Sequence, residues 1–109
     1  MAIHMKVNDA DFSIHAELLR KEVAEAYLLK TVQWIKEKNI TSETRINSTA
    51  DIFFKKAEEE FKQRLQKDFP HPAYGPNIGL ACLGSIGFFD KYRKRTKMSF
   101  NNTNLALQV

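Results

Sequence analysis

The sequence predicts a single, mainly α-helical domain: an antiparallel helical hairpin, a Pro-rich loop, and a short helical or irregular C-terminal segment packed on it. Two stretches, residues 11–38 and 49–67, contain no Gly or Pro and repeat apolar residues at helical spacing. All three prolines of the chain fall within residues 70–76. At 109 residues the chain has the usual size of one domain and is large enough to bury one core.

The first predicted helix, at about residues 11–38, is apolar on two sides. Asp9, Asp11 and Ser13 are candidate N-caps, and Asn39 suits the left-handed conformation that ends a helix. Such a helix must bury both sides, so the second side is a candidate surface for a partner or for a second copy of the chain. One side carries Phe12, Ala16, Leu19, Val23 and Ala26, and the nearly opposite side carries Leu28, Val32 and Ile35, with Ile14 and Leu18 close to it.

The second predicted helix, at about residues 49–67, follows a connection at residues 39–47 that fits either a loop or a loop with a short helical turn. The run Ser48–Asp51 resembles a capping box in which Asp51 takes the position usually held by Glu. Several Lys and Glu residues spaced four apart belong on a solvated face. The short connection predicts that the two helices pack as an antiparallel hairpin. The apolar stripe of the second helix consists of Phe53, Phe54, Ala57, Phe61 and Leu65.

Residues 69–76 form the predicted Pro-rich loop. Proline lacks an amide donor and fixes φ, so these prolines should end the second helix and hold the segment extended. One interpretation is a stiff linker. The other is a recognition loop at which a prolyl isomerase docks, since X–Pro isomerisation is slow unless catalysed. The candidate partner-binding residues are Pro70, His71, Pro72, Tyr74, Gly75 and Pro76.

Residues 77–89 are apolar but contain three glycines, which weaken an isolated helix. A strand-like buried segment and a short core helix both fit this composition. The uncharged residues 98–109 predict a tail that is either flexible or ordered by a partner, so the domain is expected to span residues 1–97. In the helical alternative the segment packs closely through Gly79, Ala81, Gly84 and Ser85.

The formal net charge of +4 comes entirely from residues 69–109, because residues 1–68 hold equal numbers of acidic and basic side chains. Such a local patch indicates contact with an anionic nucleic acid, membrane surface or protein face, or a solvated helix end. Aromatic residues interleave with the cations, which is typical of weak, salt-sensitive nucleic-acid binding. The basic patch consists of Lys91, Arg93, Lys94, Arg95 and Lys97.

The sequence gives little sign of catalysis, and no cofactor or metal site is predicted. Cys82 lies in an apolar run, which favours a small buried hydrophobe over a nucleophile. The spacing Gly79–Ile86 echoes a phosphate-binding loop but lacks its Lys. With one Cys, no signal peptide and no apolar stretch near ~20 residues, we expect a cytoplasmic protein without membrane contact.

The layout of a helical hairpin, a Pro-rich loop and a basic end resembles the small anti-RecBCD proteins of lambdoid phages. The run 69–76, which follows Phe61-Lys62-Gln63-Arg64-Leu65, carries the resemblance. It implies a host-cytoplasm protein that binds the RecC subunit of the RecBCD exonuclease and recruits a cyclophilin-type prolyl isomerase. Pro72 would be the isomerase-bound residue, ahead of Pro70 and Pro76. The basic patch would face RecC or the DNA that the enzyme carries.

Three functional hypotheses follow. The first is a non-catalytic protein-binding modulator of a host enzyme, most concretely an inhibitor of RecBCD acting through RecC. The alternative is a nonspecific nucleic-acid-binding accessory protein that uses residues 91–97. A further alternative is a regulator that self-associates through the two-sided first helix.

Overall fold

A computed structural model describes the backbone of residues 9–107 and the side chains of residues 9–100. Within that range the chain forms three long α-helices and no β-strand, which confirms the predicted mainly helical fold class. The elements are α1 (Asp9–Glu37), α2 (Glu43–Asp68), a 3₁₀ turn (Pro72–Tyr74) and α3 (Gly75–Leu107).

The three helices pack side by side, and each contacts both of the others. α1 and α2 are antiparallel, because His15 near the start of α1 places its Nε2 atom 2.8 Å from Oδ2 of Asp68 at the end of α2. α3 runs parallel to α1, because the side-chain amide of Asn77 donates to Oδ1 of Asp9 at 2.9 Å. The chain is therefore an up-down-up three-helix bundle.

The core has two parts that lie one after the other along the bundle. In the larger part the rings of Phe61 and Phe89 meet edge to face, with centroids 5.7 Å apart. Buried hydroxyls are satisfied within their own helices: Thr31 and Thr96 donate to carbonyls four residues earlier, at 2.5 and 2.8 Å. The smaller part comprises Ile35, Ile40, Ile46 and Phe100, with Val32 packed against it.

The two-sided pattern of α1 has a simple structural cause. The first half of the helix buries the predicted side as far as Val23, and the second half buries a side that begins at Ala24 and includes Ile35. The bundle core therefore moves around α1 along its length. Two members of the second side lie before this change, and they stay exposed: Ile14 at 58% and Leu18 at 66%.

The predicted start of the second helix is wrong. α2 begins at Glu43, and Ser42 is its N-cap, accepting a hydrogen bond from the Arg45 amide at 3.5 Å. Ile46 and Ala50 are buried, so the apolar stripe starts two turns earlier than the sequence suggested. The run 48–51 lies inside the helix, where the Thr49 hydroxyl donates to the Arg45 carbonyl at 2.7 Å and caps nothing.

The Pro-rich loop is shorter than predicted. Only residues 69–71 are irregular, since residues 72–74 form the 3₁₀ turn and Pro76 occupies the first turn of α3. Proline is well suited to that position because the first amides of a helix have no intrahelical acceptor. His71 caps the turn: its Nδ1 atom accepts from the Ala73 amide at 3.1 Å.

The C-terminal segment is one continuous helix and not a short or irregular piece, so the strand-like interpretation is wrong. Burial of one stripe outweighs the low helix propensity of glycine. The interpretation of close packing through Gly79 and Gly84 is also wrong, because a Cβ atom built on either glycine has no described atom within 4 Å. The buried stripe of α3 consists of Ile78, Ser85, Phe89, Tyr92, Thr96 and Phe100.

The helix also continues past the domain boundary that the sequence suggested at residue 97. The α3 backbone is helical to Leu107, and Phe100 is 9% exposed in the smaller part of the core. The side chains of residues 101–107 and all of residues 108–109 lie outside the described residues. Residues 98–107 of the predicted tail are thus part of α3, and Phe100 among them packs in the core.

Replacing Gly84 or Gly87 by Ala should stabilise the protein by about 0.5–1 kcal/mol each. Both lie inside α3, and a built Cβ meets no described atom within 4 Å. Alanine therefore lowers the entropy of the unfolded chain without a clash. Urea unfolding followed by circular dichroism measures the change, and Gly75→Ala at the helix start is the matched control with a smaller gain. Loss of stability in both interior variants would contradict a continuous α3.

Candidate protein-interaction site

The predicted loop residues divide into an anchored and an exposed set. Tyr74 is 8% exposed and stacks on Phe12 at a centroid distance of 5.7 Å, while Phe69 lies 4.8 Å from the same ring. These contacts fix the loop to the first turn of α1. Every peptide bond of the described residues is trans. The exposed members of the predicted set are Pro70, His71, Pro72, Gly75 and Pro76.

The basic patch is partly neutralised by carboxylates. Asp51 of α2 lies 3.0 Å from the Lys97 ammonium and 3.6 Å from Nε of Arg93. Asp90 pairs with Arg93 as well and lies 3.3 Å from Lys94. These exposed pairs add little stability, yet they lower the positive potential of the patch. The guanidinium of Arg95 lies 5.0 Å from the Tyr92 ring centroid.

The outward side of α3 carries an apolar ridge, formed by Leu80, Leu83 and Ile86. Their exposed fractions are 70%, 68% and 52%, so three large apolar side chains spaced three apart face solvent together. Glycines lie on both sides of this ridge, and no charged residue occurs from residue 75 to residue 89. Contiguous exposed apolar surface on a helix is typical of a protein-interaction site.

The ridge borders a hollow between α2 and α3, with a volume of about 350 Å³. Phe61 and Phe89 form its floor, while Glu58 and Lys62 of α2 stand on its rim. The hollow combines an apolar base with charges of both signs, which suits an inserted side chain of a partner. The remaining lining residues are Lys55, Glu59, Cys82, Leu83 and Ile86.

The sequence interpretation missed this ridge because an apolar run does not show which of its members are buried. A usable signal was nonetheless present. If residues 77–100 are treated as one helix, Ile78, Ser85 and Phe89 fall on one side. Leu80 and Leu83 then fall on roughly the opposite side together with Gly87. Placing two leucines beside a glycine away from the stripe indicates an exposed apolar surface.

A groove between α1 and α3 holds a cation without a carboxylate partner. Nε of Arg20 is buried and has no hydrogen-bond partner among the described residues. The guanidinium lies 4.9 Å from the Phe88 ring centroid, and its Nη1 atom is 3.5 Å from the Ser85 hydroxyl oxygen. Arg20 therefore joins α1 to α3 mainly by packing on an aromatic ring.

Cys82 lies in the hollow and is a poor nucleophile. Burial raises the pKa of its thiol, Glu58 raises it further, and Lys62 lowers it to a smaller extent than burial raises it. A raised pKa leaves little thiolate at neutral pH, and the thiolate is the reactive form. In the described part of the chain no cluster of His, Cys, Asp and Glu is arranged to hold a metal ion.

Comparison with protein-family models, with curated proteins and with solved structures found no match to this chain. The resemblance to anti-RecBCD proteins therefore stays a prediction from layout. None of the helices in residues 9–107 has the length and apolar character needed to cross a membrane.

Cys82 should react slowly with iodoacetamide at pH 8, because the raised pKa leaves it mostly protonated in the folded chain. The same chain in denaturing urea is the control, since unfolding removes the burial that raises the pKa. Mass spectrometry of quenched samples gives both rates. Equal or faster reaction of the folded chain would contradict the described environment of the thiol.

Proposed function

We propose that this chain is a non-catalytic protein-binding module that docks a partner on the outward face of α3. The proposal rests on the ridge of Leu80, Leu83 and Ile86. These three side chains are more than half exposed and take no part in the bundle core. Desolvation of such a ridge by a partner supplies binding free energy in proportion to the apolar area buried. The hollow beside it offers a place for an anchoring side chain of the partner.

The charge next to the ridge favours an acidic partner. Lys91 follows the ridge on α3, is exposed, and has no ion-pair partner among residues 9–100. Lys94 is also exposed, although Asp90 lies 3.3 Å from its ammonium. A partner surface with apolar residues followed by Asp or Glu matches this order, and charge matching mainly raises specificity and the association rate.

The partner that the layout resemblance implies is RecC, and we propose that the chain inhibits RecBCD by occupying a surface of that subunit. Apolar docking supports this partner, because an apolar contact persists at moderate salt. A modulator of a DNA-bound enzyme requires a contact of that kind. Pro72 stays the first choice for an isomerase-bound proline. Its support is geometric: Pro72 is exposed in a turn that Phe69 and Tyr74 fix to the bundle.

Nucleic-acid binding receives less support from the geometry. Phe89 and Tyr92 are two of the aromatic residues that interleave with the cations in the sequence. They are 1% and 9% exposed, so their rings are not free to stack on bases. Asp51 and Asp90 neutralise three of the five cations in part. Weak binding to phosphates through Lys91 and Arg95 remains the alternative function.

The double variant Leu80→Ser/Leu83→Ser should bind purified RecBCD roughly tenfold more weakly than the unaltered chain. Biolayer interferometry at moderate salt measures both affinities. Ile52→Ser is the matched control, because Ile52 is 55% exposed on α2, away from the ridge.

The same sensor, loaded with a cyclophilin-type isomerase, tests Pro72→Ala. We expect this variant to lose binding to the isomerase.

Failure of the unaltered chain to bind RecBCD would reject that partner. The ridge is then tested by pull-down from nuclease-treated bacterial lysate, in which the chain, the double variant and the Ile52→Ser control are compared by mass spectrometry. A protein retained by the chain and the control but lost with the double variant supports docking on the ridge. Retention of nucleic acid alone, released by rising salt, would contradict protein docking and favour the alternative function.

A further inference from the structure

The outward side of α1 carries a second exposed surface, separate from the ridge on α3. Leu18 and Leu29 are 66% and 67% exposed and lie eleven residues apart, which places them on nearly the same side of the helix. Between them stand Lys21 and Glu25, both exposed. We name this surface the α1 stripe, and its residues are Ile14, Leu18, Lys21, Glu25, Leu28 and Leu29.

The spacing of the α1 stripe is that of a helix-pairing seam. Residues 14, 18, 21, 25 and 28 follow one another at intervals of four and three, the repeat by which helices pack along a shared line. Leu28 is half-buried against the core, and the other members are exposed. The seam therefore has apolar residues at both ends and two opposite charges in its middle.

The two central charges are not used in ion pairs by the described part of the bundle. Neither Lys21 nor Glu25 makes an ion pair with any side chain of residues 9–100, although they are four residues apart on one helix. By contrast Glu22, one position along from Lys21, pairs with Arg64 of α2 at 3.2 Å. The seam thus presents one cation and one anion to solvent, neither of them ion-paired among residues 9–100.

This order of residues is complementary to itself in the antiparallel direction. When two copies of α1 are related by a two-fold axis beside Val23, Lys21 of one copy stands opposite Glu25 of the other, and the reverse pair forms by symmetry. The same operation places Leu18 opposite Leu28. A parallel arrangement would instead set Lys21 against Lys21 and Glu25 against Glu25, which is repulsive.

A second complementary pair lies beside the seam. Arg95 of α3 lines a shallow hollow together with Glu25, Leu28 and Leu29 of α1. Glu17 lines another hollow with Leu18 and Lys21. The antiparallel arrangement brings the level of Leu28 in one copy to the level of Leu18 in the other. Arg95 then faces Glu17 across the interface, and neither has an ion-pair partner among the described residues of its own bundle.

We propose that the occupant of the α1 stripe is a second copy of this chain, paired antiparallel through α1. Self-complementary charge and apolar spacing favour a second copy over an unrelated partner. In the antiparallel pair each charged or apolar side chain of the stripe lies opposite a complementary one of the same stripe. The seam is short and leaves both α3 ridges uncovered, so the dimer is weak and reversible. Pairing through α1 does not depend on which partner docks on α3.

Charge reversal along the seam tests the pairing. Lys21→Glu replaces two attractive pairs with two repulsive ones and should weaken dimerisation roughly tenfold, and Glu25→Lys should do the same. The double variant Lys21→Glu/Glu25→Lys restores opposite charges across an antiparallel seam and should recover the original affinity. Sedimentation velocity over roughly 5–500 µM chain measures each dissociation constant.

Exposed charges at these positions leave the fold intact, which circular dichroism verifies. Leu18→Ser should weaken dimerisation as well, while Leu83→Ser on the α3 ridge is the matched control and should leave it unchanged. A chain that sediments as a monomer over the whole range would overturn the proposal. A dimer that is indifferent to Lys21→Glu, or that the double variant does not recover, would overturn it equally.

Discussion

Packing of the buried α3 stripe against α1 and α2 holds the three helices together and closes the bundle. Phe89 is 1% exposed and meets Phe61 edge to face, while Ile78 and Phe100 tie the two ends of the same stripe to the two parts of the core. Without this contact α1 and α2 would form a two-helix hairpin with an open apolar side. Burial of the stripe also holds four glycines in a helix that their propensity disfavours.

The same constraint determines which apolar residues reach solvent. A helix that buries one stripe must present its other sides, and on α3 those sides carry Leu80 and Leu83. On α1 the core moves around the helix at Val23 and Ala24, which leaves Ile14 and Leu18 outside it. The two exposed surfaces are therefore consequences of how the bundle closes, and both are available in one folded chain for different occupants.

The helical fold class and the first half of α1 were predictable because Phe12, Ala16, Leu19 and Val23 repeat at helical spacing. The start of α2 was not, since Ser42 and Ser48 are both plausible caps and only the burial of Ile46 decides between them. A short C-terminal helix was one of the predicted alternatives, but the full length of α3 was not predicted, because local propensity argues against a long helix containing glycines, whereas its burial depends on partners distant in sequence. The site residues in the loop and the basic patch stay predictions, and the ridge becomes visible in the sequence only once residues 77–100 are treated as one helix.

Urea denaturation of Phe89→Ala and Leu83→Ala, compared by their unfolding free energies, decides which side of α3 faces the core. If Phe89 lies in the core and Leu83 on an outward ridge, the first substitution should cost about 3–5 kcal/mol. The second should stay within about 0.5 kcal/mol of the unaltered chain. A large loss for Leu83→Ala with little effect of Phe89→Ala would mean that α3 buries the other side, and the proposed interaction surface would not exist.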